Sequence, residues 1–380
     1  MKRWALTIAL LSGLSLNVQA LASTAALLEE TDIGFGATGV VQGTDQANGD
    51  DLLQPEESAS EASYSIDVEI EKLFGESGTG FLHLEAGGGA GIDSAVKAFS
   101  PLNYDADDDE NVRVTELFYE HSFSKLPLFV TAGKLDPTVY LDVNNYANDE
   151  CSQFLGGIFR NSQTIEFPDN AAGLRASYDP TEFLDLEFLA LDADADFSDI
   201  LGDLFLAAQV TLVPHLWERP GNYRFFAWTN NASHTKWLDT TRSSEDGFGA
   251  GLSWDQALTD QAGAFLRYAW QDSSVSLEGA DFSLEHSWSL GVQLTGEGWK
   301  RDADVLGLAV GQNLPSHDYK KSQGAKGRAE THLELYYNWA AHENLTLTPD
   351  LQVVWEPFGG DAANGTDTLW VGGLRAQMDF

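Results

Sequence analysis

From about residue 64 onward the chain returns again and again to one pattern, in which apolar and polar residues take turns and a polar stretch then intervenes. "YSIDVEIEKLF" sets Ile66, Val68 and Ile70 on one face, and "FLDLEFLA" sets Leu184, Leu186 and Phe188 against Asp185 and Glu187. "NYRFFAWTN" opposes Tyr223, Phe225 and Ala227 to Arg224, Phe226 and Trp228. The same holds for Leu252 and Trp254, for Leu266, Tyr268 and Trp270, for Trp288, Leu290 and Val292, for Leu333, Leu335 and Trp339, and for Leu351, Val353 and Trp355. Successive side chains of a strand point to opposite faces, so alternation over so many segments predicts half-buried strands. In "NVRVTELFYEHSF" the pattern predicts Val112, Val114 and Phe118 on one face, with Leu117 and Tyr119 competing for the phase.

The aromatic residues choose between a soluble sandwich and a membrane barrel. The chain holds 11 Trp, 11 Tyr, 21 Phe and 36 Gly. Trp254, Trp270, Trp339 and Trp355 stand at strand ends, where a membrane barrel carries its aromatic belts. Short turns ("TGEG", "AHEN") mix with long polar loops ("SPLNYDADDDENV", "DYKKSQGAKGRAE", "FGGDAANGTDT"), as in barrels with one short-turn and one long-loop rim. At ~10 residues per strand and ~22 per strand with its connection, the chain has room for about sixteen strands. The expected fold is all-β: a transmembrane antiparallel β-barrel of about sixteen strands, of the outer-membrane type. The final stretch "TLWVGGLRAQMDF" fits, with Trp370, Leu374, Met378 and Phe380 on a lipid face and Arg375 and Gln377 on the other. A last strand closing on Phe resembles the signal that outer-membrane barrels present to their insertion machinery.

The beginning of the chain sets the compartment. "MKRWALTIALLSGLSLNVQALAS" has Lys2 and Arg3, an apolar stretch and small residues at Ala20 and Ala22, so residues 1–22 read as a secretory signal peptide. Residues 23–62, rich in small residues and acids, read as a loosely ordered segment or an early strand followed by a long loop, and residues 63–380 as the barrel. Beyond the signal no apolar run is long enough for a transmembrane helix. The formal charge is -38 and becomes more negative once Lys2 and Arg3 are removed, which excludes nucleic acid as a partner. The single cysteine, Cys151, cannot form an internal disulfide and is expected to be an inert buried thiol.

One region is distinctive: "GKLDPTVYLDVNNYANDECSQFLGGIFRNSQTIEFPDN", followed by "RPGNYR" and later "LTPDLQ". With Gly133-Lys134, Asp136-Pro137, Asn144, Ala147 to Glu150, Gln153-Phe154, Asn161-Ser162, Pro168, Pro220 to Arg224 and Thr348 to Gln352, the chain resembles the carbohydrate-selective (OprB-type) porins of Gram-negative outer membranes from about 110 to 380. The resemblance implies a sixteen-stranded barrel whose pore passes small mono- and oligosaccharides by diffusion. Sugar hydroxyls suit Arg, Asp, Glu and Asn, the pyranose face suits an aromatic ring, and binding must be weak enough for release. As an inward-folded loop, Asp142 to Asn161 could narrow such a pore. Candidate substrate-binding residues are Glu150, Arg160, Arg224, Arg113, Asn148, Asp149, Trp217 and Trp228; Tyr336 is a further ring platform, and Arg175, Arg267 and Arg375 are phased inward.

Other chemistry has less support. "DADADF" opens as a calcium loop does, with Asp192, Asp194, Asp196 and a distal Asp203, but Phe197 stands where glycine is needed; it reads as a solvated acidic loop, and no metal site is expected. The acids from Asp105 to Glu110 could hold divalent cations that bridge lipopolysaccharide. HExxH and GxSxG motifs are missing, and His121, His215, His234 and His332 lack Ser and Asp partners at diagnostic spacing. No catalytic residue and no cofactor is expected. The reading is a passive carbohydrate porin in the Gram-negative outer membrane, with lipid, lipopolysaccharide and the insertion machinery as partners and a homotrimer left open. The alternatives are a general cation-preferring porin and an outer-membrane barrel enzyme.

Overall fold

A computed structural model describes residues 30–49, 57–216 and 218–380. The signal-peptide reading and Trp217 lie outside the described residues. The strands are β1 (Thr31–Ala47), β2 (Glu57–Phe74), β3 (Gly78–Gly88), β4 (Arg113–Ser122), β5 (Leu128–Leu135) and β6 (Ala171–Thr181). They continue as β7 (Leu184–Asp192), β8 (Leu204–Leu212), β9 (His215–Leu216), β10 (Arg219–Lys236), β11 (Glu245–Ala257) and β12 (Ala262–Gln271). The last are β13 (Val275–Leu277), β14 (Leu284–Thr295), β15 (Val305–Pro315), β16 (Glu330–His342), β17 (Leu345–Trp355) and β18 (Thr368–Asp379). β9 and β13 are ladders of 2 and 3 residues, which leaves sixteen long strands.

Each long strand pairs antiparallel with its neighbours, and β18 returns to β1 from Gly36↔Asp379 to Gly43↔Gly372. The sheet is therefore a closed barrel. Closure gives every edge a partner, as a bilayer demands of any spanning sheet. Among the described residues no helix is long and apolar enough to cross a membrane; the strands do the crossing. Connections 75–77, 123–127, 182–183, 258–261 and 343–344 turn the chain at one rim, and the longer 89–112, 136–170, 193–203, 316–329 and 356–367 lie at the other.

The alternation read from sequence sorts the faces: on β18 Leu374 is 50 % exposed and Arg375 1 %. Trp339 and Trp355, at opposite ends of the β16–β17 hairpin, both face outward, one toward each rim. Two expectations change. The described part of 23–62 is the strand β1 followed by the start of β2, which begins at Glu57 and not at 63. Its first residues, "ESASEA", carry no apolar alternation, yet their backbone pairs with β1, as at Gly43↔Ser60. On β4, Phe118 does not share the face of Val114. A register shift between His83 and Leu84 places one extra residue on β4, so Val114, Leu117 and Tyr119 face outward and Phe118 turns inward.

Two long-rim connections fold into the lumen. Residues 89–112 bury Ile92, Val96 and Leu102 against Val354, Leu369 and Val371 of β17 and β18. Residues 136–170 bury Phe154, Ile158 and Phe159 against Phe265, Ala309 and Tyr336 of the barrel wall. The two segments are joined by Tyr104 N to Leu155 O (2.9 Å) and Gly157 N to Pro101 O (2.9 Å). A Cβ at Gly157 would meet Pro101 at 2.8 Å, so the glycine permits this approach.

Candidate functional site

The loop 136–170 is held most heavily by β10, β12, β16 and β18; toward β1 to β4 its hydrogen bonds among the described residues are Asp136 N to Glu116 Oε1 (3.1 Å) and Asn170 Nδ2 to Thr115 O (2.9 Å) at its ends, and Thr38 Oγ1 to Cys151 Sγ (3.4 Å). Arg267 of β12 is fully buried and donates to Asp142 O (3.0 Å), Phe159 O (2.7 Å) and Asn148 Oδ1 (3.0 Å), with the Asp142 carboxylate at 3.4 Å. Arg375 of β18 donates to Glu150 O (2.6 Å) and Gln153 O (2.9 Å). Glu334 of β16 accepts from Leu155 N (2.6 Å) and Gly156 N (2.9 Å). Arg224 of β10 binds Asp255 of β11 at 2.6 Å, and the same carboxylate accepts from Asn145 N (3.3 Å). These are charge-assisted bonds inside a protein-filled lumen, the setting in which they count most.

Across the loop from β10, β12 and β16 a cavity of about 640 Å³ remains between the loop, the inner faces of β1 to β4 and the end of β18. It reaches Phe35, Asp379 and Phe380 at the short-turn rim. Asp149, Glu150 and Cys151 line it from the loop, Tyr104 to Asp107 from the second inserted segment, and Asp67, Glu69, Glu85, Arg113 and Glu116 from the wall. The lining is strongly acidic, and among the described residues its one arginine, Arg113, is paired with Asp107 and lies 3.6 Å from Glu85. At the loop's edge Glu150 accepts from Arg160 Nε (2.5 Å). The Arg160 guanidinium also binds Thr138 O and Asn161 Oδ1 and lies 5.7 Å from the centre of the Tyr104 ring. Burial pushes the Asp105 carboxyl up to about 7; the Ser65 hydroxyl opposes that rise and the Glu150 charge adds to it. The Cys151 thiol, half-buried and 3.5 Å from Asp105 Oδ1, is pushed up by burial and by that carboxyl, which keeps it protonated.

The structure thus brings Glu150, Asp149 and Arg113 to one cavity, with Arg160 behind Glu150 and Asn148 tied to Arg267 at the loop's back. Arg224 and Trp228 are elsewhere. Arg224 is a wall brace, and Trp228 is 4 % exposed in a core cluster, stacked on Phe205 at 6.0 Å between centroids, so neither faces the cavity. Tyr336 is fully buried under Phe154 and offers no free ring face. Both aromatics are inward-phased as read, but the inserted loops and their clusters cover them. Arg175 binds Glu187 and Glu120 and lies over the Tyr140 ring at 4.6 Å. Tyr104, Glu85, Glu116 and Asp67 also line the cavity, and the sequence pattern does not single them out. Their signal, an acid or ring on the inward phase, recurs on every wall and does not say which wall stays open.

A closed sixteen-stranded barrel with belted rims and an inserted loop that leaves an open, polar passage is the architecture of an outer-membrane porin. The family model for carbohydrate-selective porins of the OprB family matches residues 57–380, and the chain belongs to that family. Among solved structures it is similar to the high-pH form of OprB from Pseudomonas putida, with a TM-score of 0.77 at 17 % identity over 94 % of this chain and 96 % of that one. The low-pH form of the same protein matches with a TM-score of 0.56 at 15 % identity over 96 % and 98 %. The outer-membrane channel DcaP of Acinetobacter baumannii matches with a TM-score of 0.59 at 13 % identity over 92 % and 97 %. No curated protein matches. The chain is a porin of the Gram-negative outer membrane for passive diffusion of small carbohydrates.

Proposed function

We propose that sugars pass along the acidic wall and are held briefly where Asp149, Glu150 and Arg113 face the cavity, with Tyr104 as the ring platform and Arg160 and Asn148 fixing the loop's edge. The observation that carries this is the docking of 136–170 mainly against β10, β12, β16 and β18, which leaves the cavity of about 640 Å³ beside Glu150, a volume in the usual range of ~300–1,000 Å³ for small-molecule sites. Carboxylates accept from sugar hydroxyls, and the Tyr104 ring, 37 % exposed, can meet a pyranose face. The chain works as a channel and not as an enzyme. Asp105 and Asp107 line the cavity, so the acids from Asp105 to Glu110 are not proposed to bridge lipopolysaccharide through cations. Lipid and lipopolysaccharide meet the apolar outer face, the insertion machinery places the barrel, and a homotrimer would set such passages in parallel; native mass spectrometry in detergent tests that assembly.

Arg160→Ala removes the partner of Glu150, and Tyr104→Ala the platform. Each is expected to raise the sugar concentration that half-blocks single-channel current about tenfold, the effect of ~1.4 kcal/mol. Arg224→Ala, distant from the cavity, should change block far less. Unchanged block in both cavity variants would move the sugar contact elsewhere.

The acid lining also favours cations over anions. Because the Asp105 carboxyl is pushed up to about 7, lowering the pH through neutrality removes a charge from the passage. The cation-to-anion permeability ratio, read from reversal potentials, should therefore fall between mildly alkaline and mildly acidic pH, and Asp105→Asn should flatten that fall. A ratio constant with pH in the unmodified chain would count against an ionising Asp105 in the ion path.

A further inference from the structure

We propose that the long-rim turn after β7 is a divalent-cation site of the calcium class, built on Asp192, Asp194 and Asp196. One carboxylate oxygen from each lies within 4.8 Å of the other two. The nearby cation, Lys134, donates to Val114 O at 2.8 Å and lies over the Phe197 ring at 5.5 Å. Like charges so close are relieved either by a shared proton or by a counter-charge between them.

Asp192 supplies the second, separate observation. It is 0 % exposed, its Oδ2 accepts from Phe197 N at 3.1 Å, and among the described residues its Oδ1 receives no hydrogen bond. A buried carboxylate oxygen with no donor is a cost that folded proteins rarely leave standing. Its carboxylate faces those of Asp194 and Asp196, which are exposed and have room for water. A cation there would satisfy the orphan oxygen and offset the repulsion together.

The donors are all carboxylate, with no His or Cys, so the ion is a hard one. Calcium takes six to eight oxygens in flexible geometry, whereas magnesium demands a near-ideal octahedron. Three carboxylates on alternate residues of an open turn, completed by water, suit calcium. In the sequence Phe197 stands where a calcium loop needs glycine. The structure removes that objection, because Phe197 holds φ of +61°, the left-handed conformation that glycine usually supplies. The site is no EF-hand, since strands β7 and β8 and not helices flank it. Asp194 and Asp203 also line a rim cavity of about 480 Å³ with Asp169 and Glu278, so a bound cation would neutralise part of that mouth.

The test is isothermal titration of calcium chloride into the refolded full-length barrel in detergent. It is run on the unmodified chain, on Asp194→Asn/Asp196→Asn, and on Asp108→Asn/Glu110→Gln, which removes equal charge from another acidic loop. All four substituted residues are exposed, and heat-modifiable migration confirms each barrel. The expected result is one saturable site with a dissociation constant of roughly 10⁻⁴–10⁻³ M, weakened at least tenfold in the first variant and retained in the second. No saturable binding, binding unaffected by the first variant, or equal weakening in both would overturn the site. Sugar transport plays no part in the readout, so the outcome is independent of the proposed sugar path.

Discussion

Arg267→Met is expected to release the loop 136–170 from the barrel wall, raising single-channel conductance and abolishing block by sugar, while the barrel itself stays folded. The guanidinium holds three acceptors spread over Asp142, Asn148 and Phe159, so one side chain fixes both ends of the inserted segment. Its removal leaves Asp142, itself 0 % exposed, without its cationic partner. Breaking a buried pair in this way costs about 3–5 kcal/mol. That is enough to populate a detached loop, yet the closed ladder of β1 to β18 does not depend on it. Burial pushes the Asp142 carboxyl up even with Arg267 beside it, so the unpartnered acid would take a proton or move to water. Adding Asp142→Leu should restore part of the block, because replacing both members of a buried pair is often close to neutral. Conductance and block identical to the unmodified chain would mean that Arg267 is a bystander.

Glu334→Leu should act in the same direction from a different strand, β16. The carboxylate takes both Leu155 N and Gly156 N, and leaving each buried N–H without an acceptor costs about 1–3 kcal/mol. Glu334→Gln keeps one acceptor oxygen and should have a smaller effect. Gly156→Ala should fall between them, since its Cβ would meet Glu334 Oε2 at 2.8 Å. The readout is again conductance with sugar block, with far-UV circular dichroism to show that strand content is kept. If Glu334→Leu lost strand content altogether, the carboxylate would be holding the barrel and not the loop.

The barrel was legible because period-two alternation is imposed by the strand itself. Lipid on one side and a wet or protein-filled lumen on the other make every segment repeat it. Leu374 and Arg375 read correctly for that reason. Phe118 did not, because a bulge changes phase without changing composition. The inserted loop was legible as a polar block from Asp142 to Asn161, and its Glu150–Arg160 pair joins across the turn. Which wall the loop leans on was not legible. Arg224, Arg267 and Arg375 look alike in a strand pattern, and only packing shows that all three are braces on the docked side. The open side is defined by where the loop is only lightly held, and Glu85 and Glu116 carry no local mark of it. Trp228 and Tyr336 failed as ring platforms for the converse reason: inward phase does not mean exposed when Phe154 and Phe205 fill the space in front of them.

The most direct test of a carbohydrate pore beside the docked loop is single-channel current in a planar bilayer, with glucose and then longer oligosaccharides titrated from each side. The expected result is a cation-preferring current that small sugars block saturably, with Arg267→Met giving a larger current that they no longer block. A steady current indifferent to sugar in the unmodified chain would contradict it.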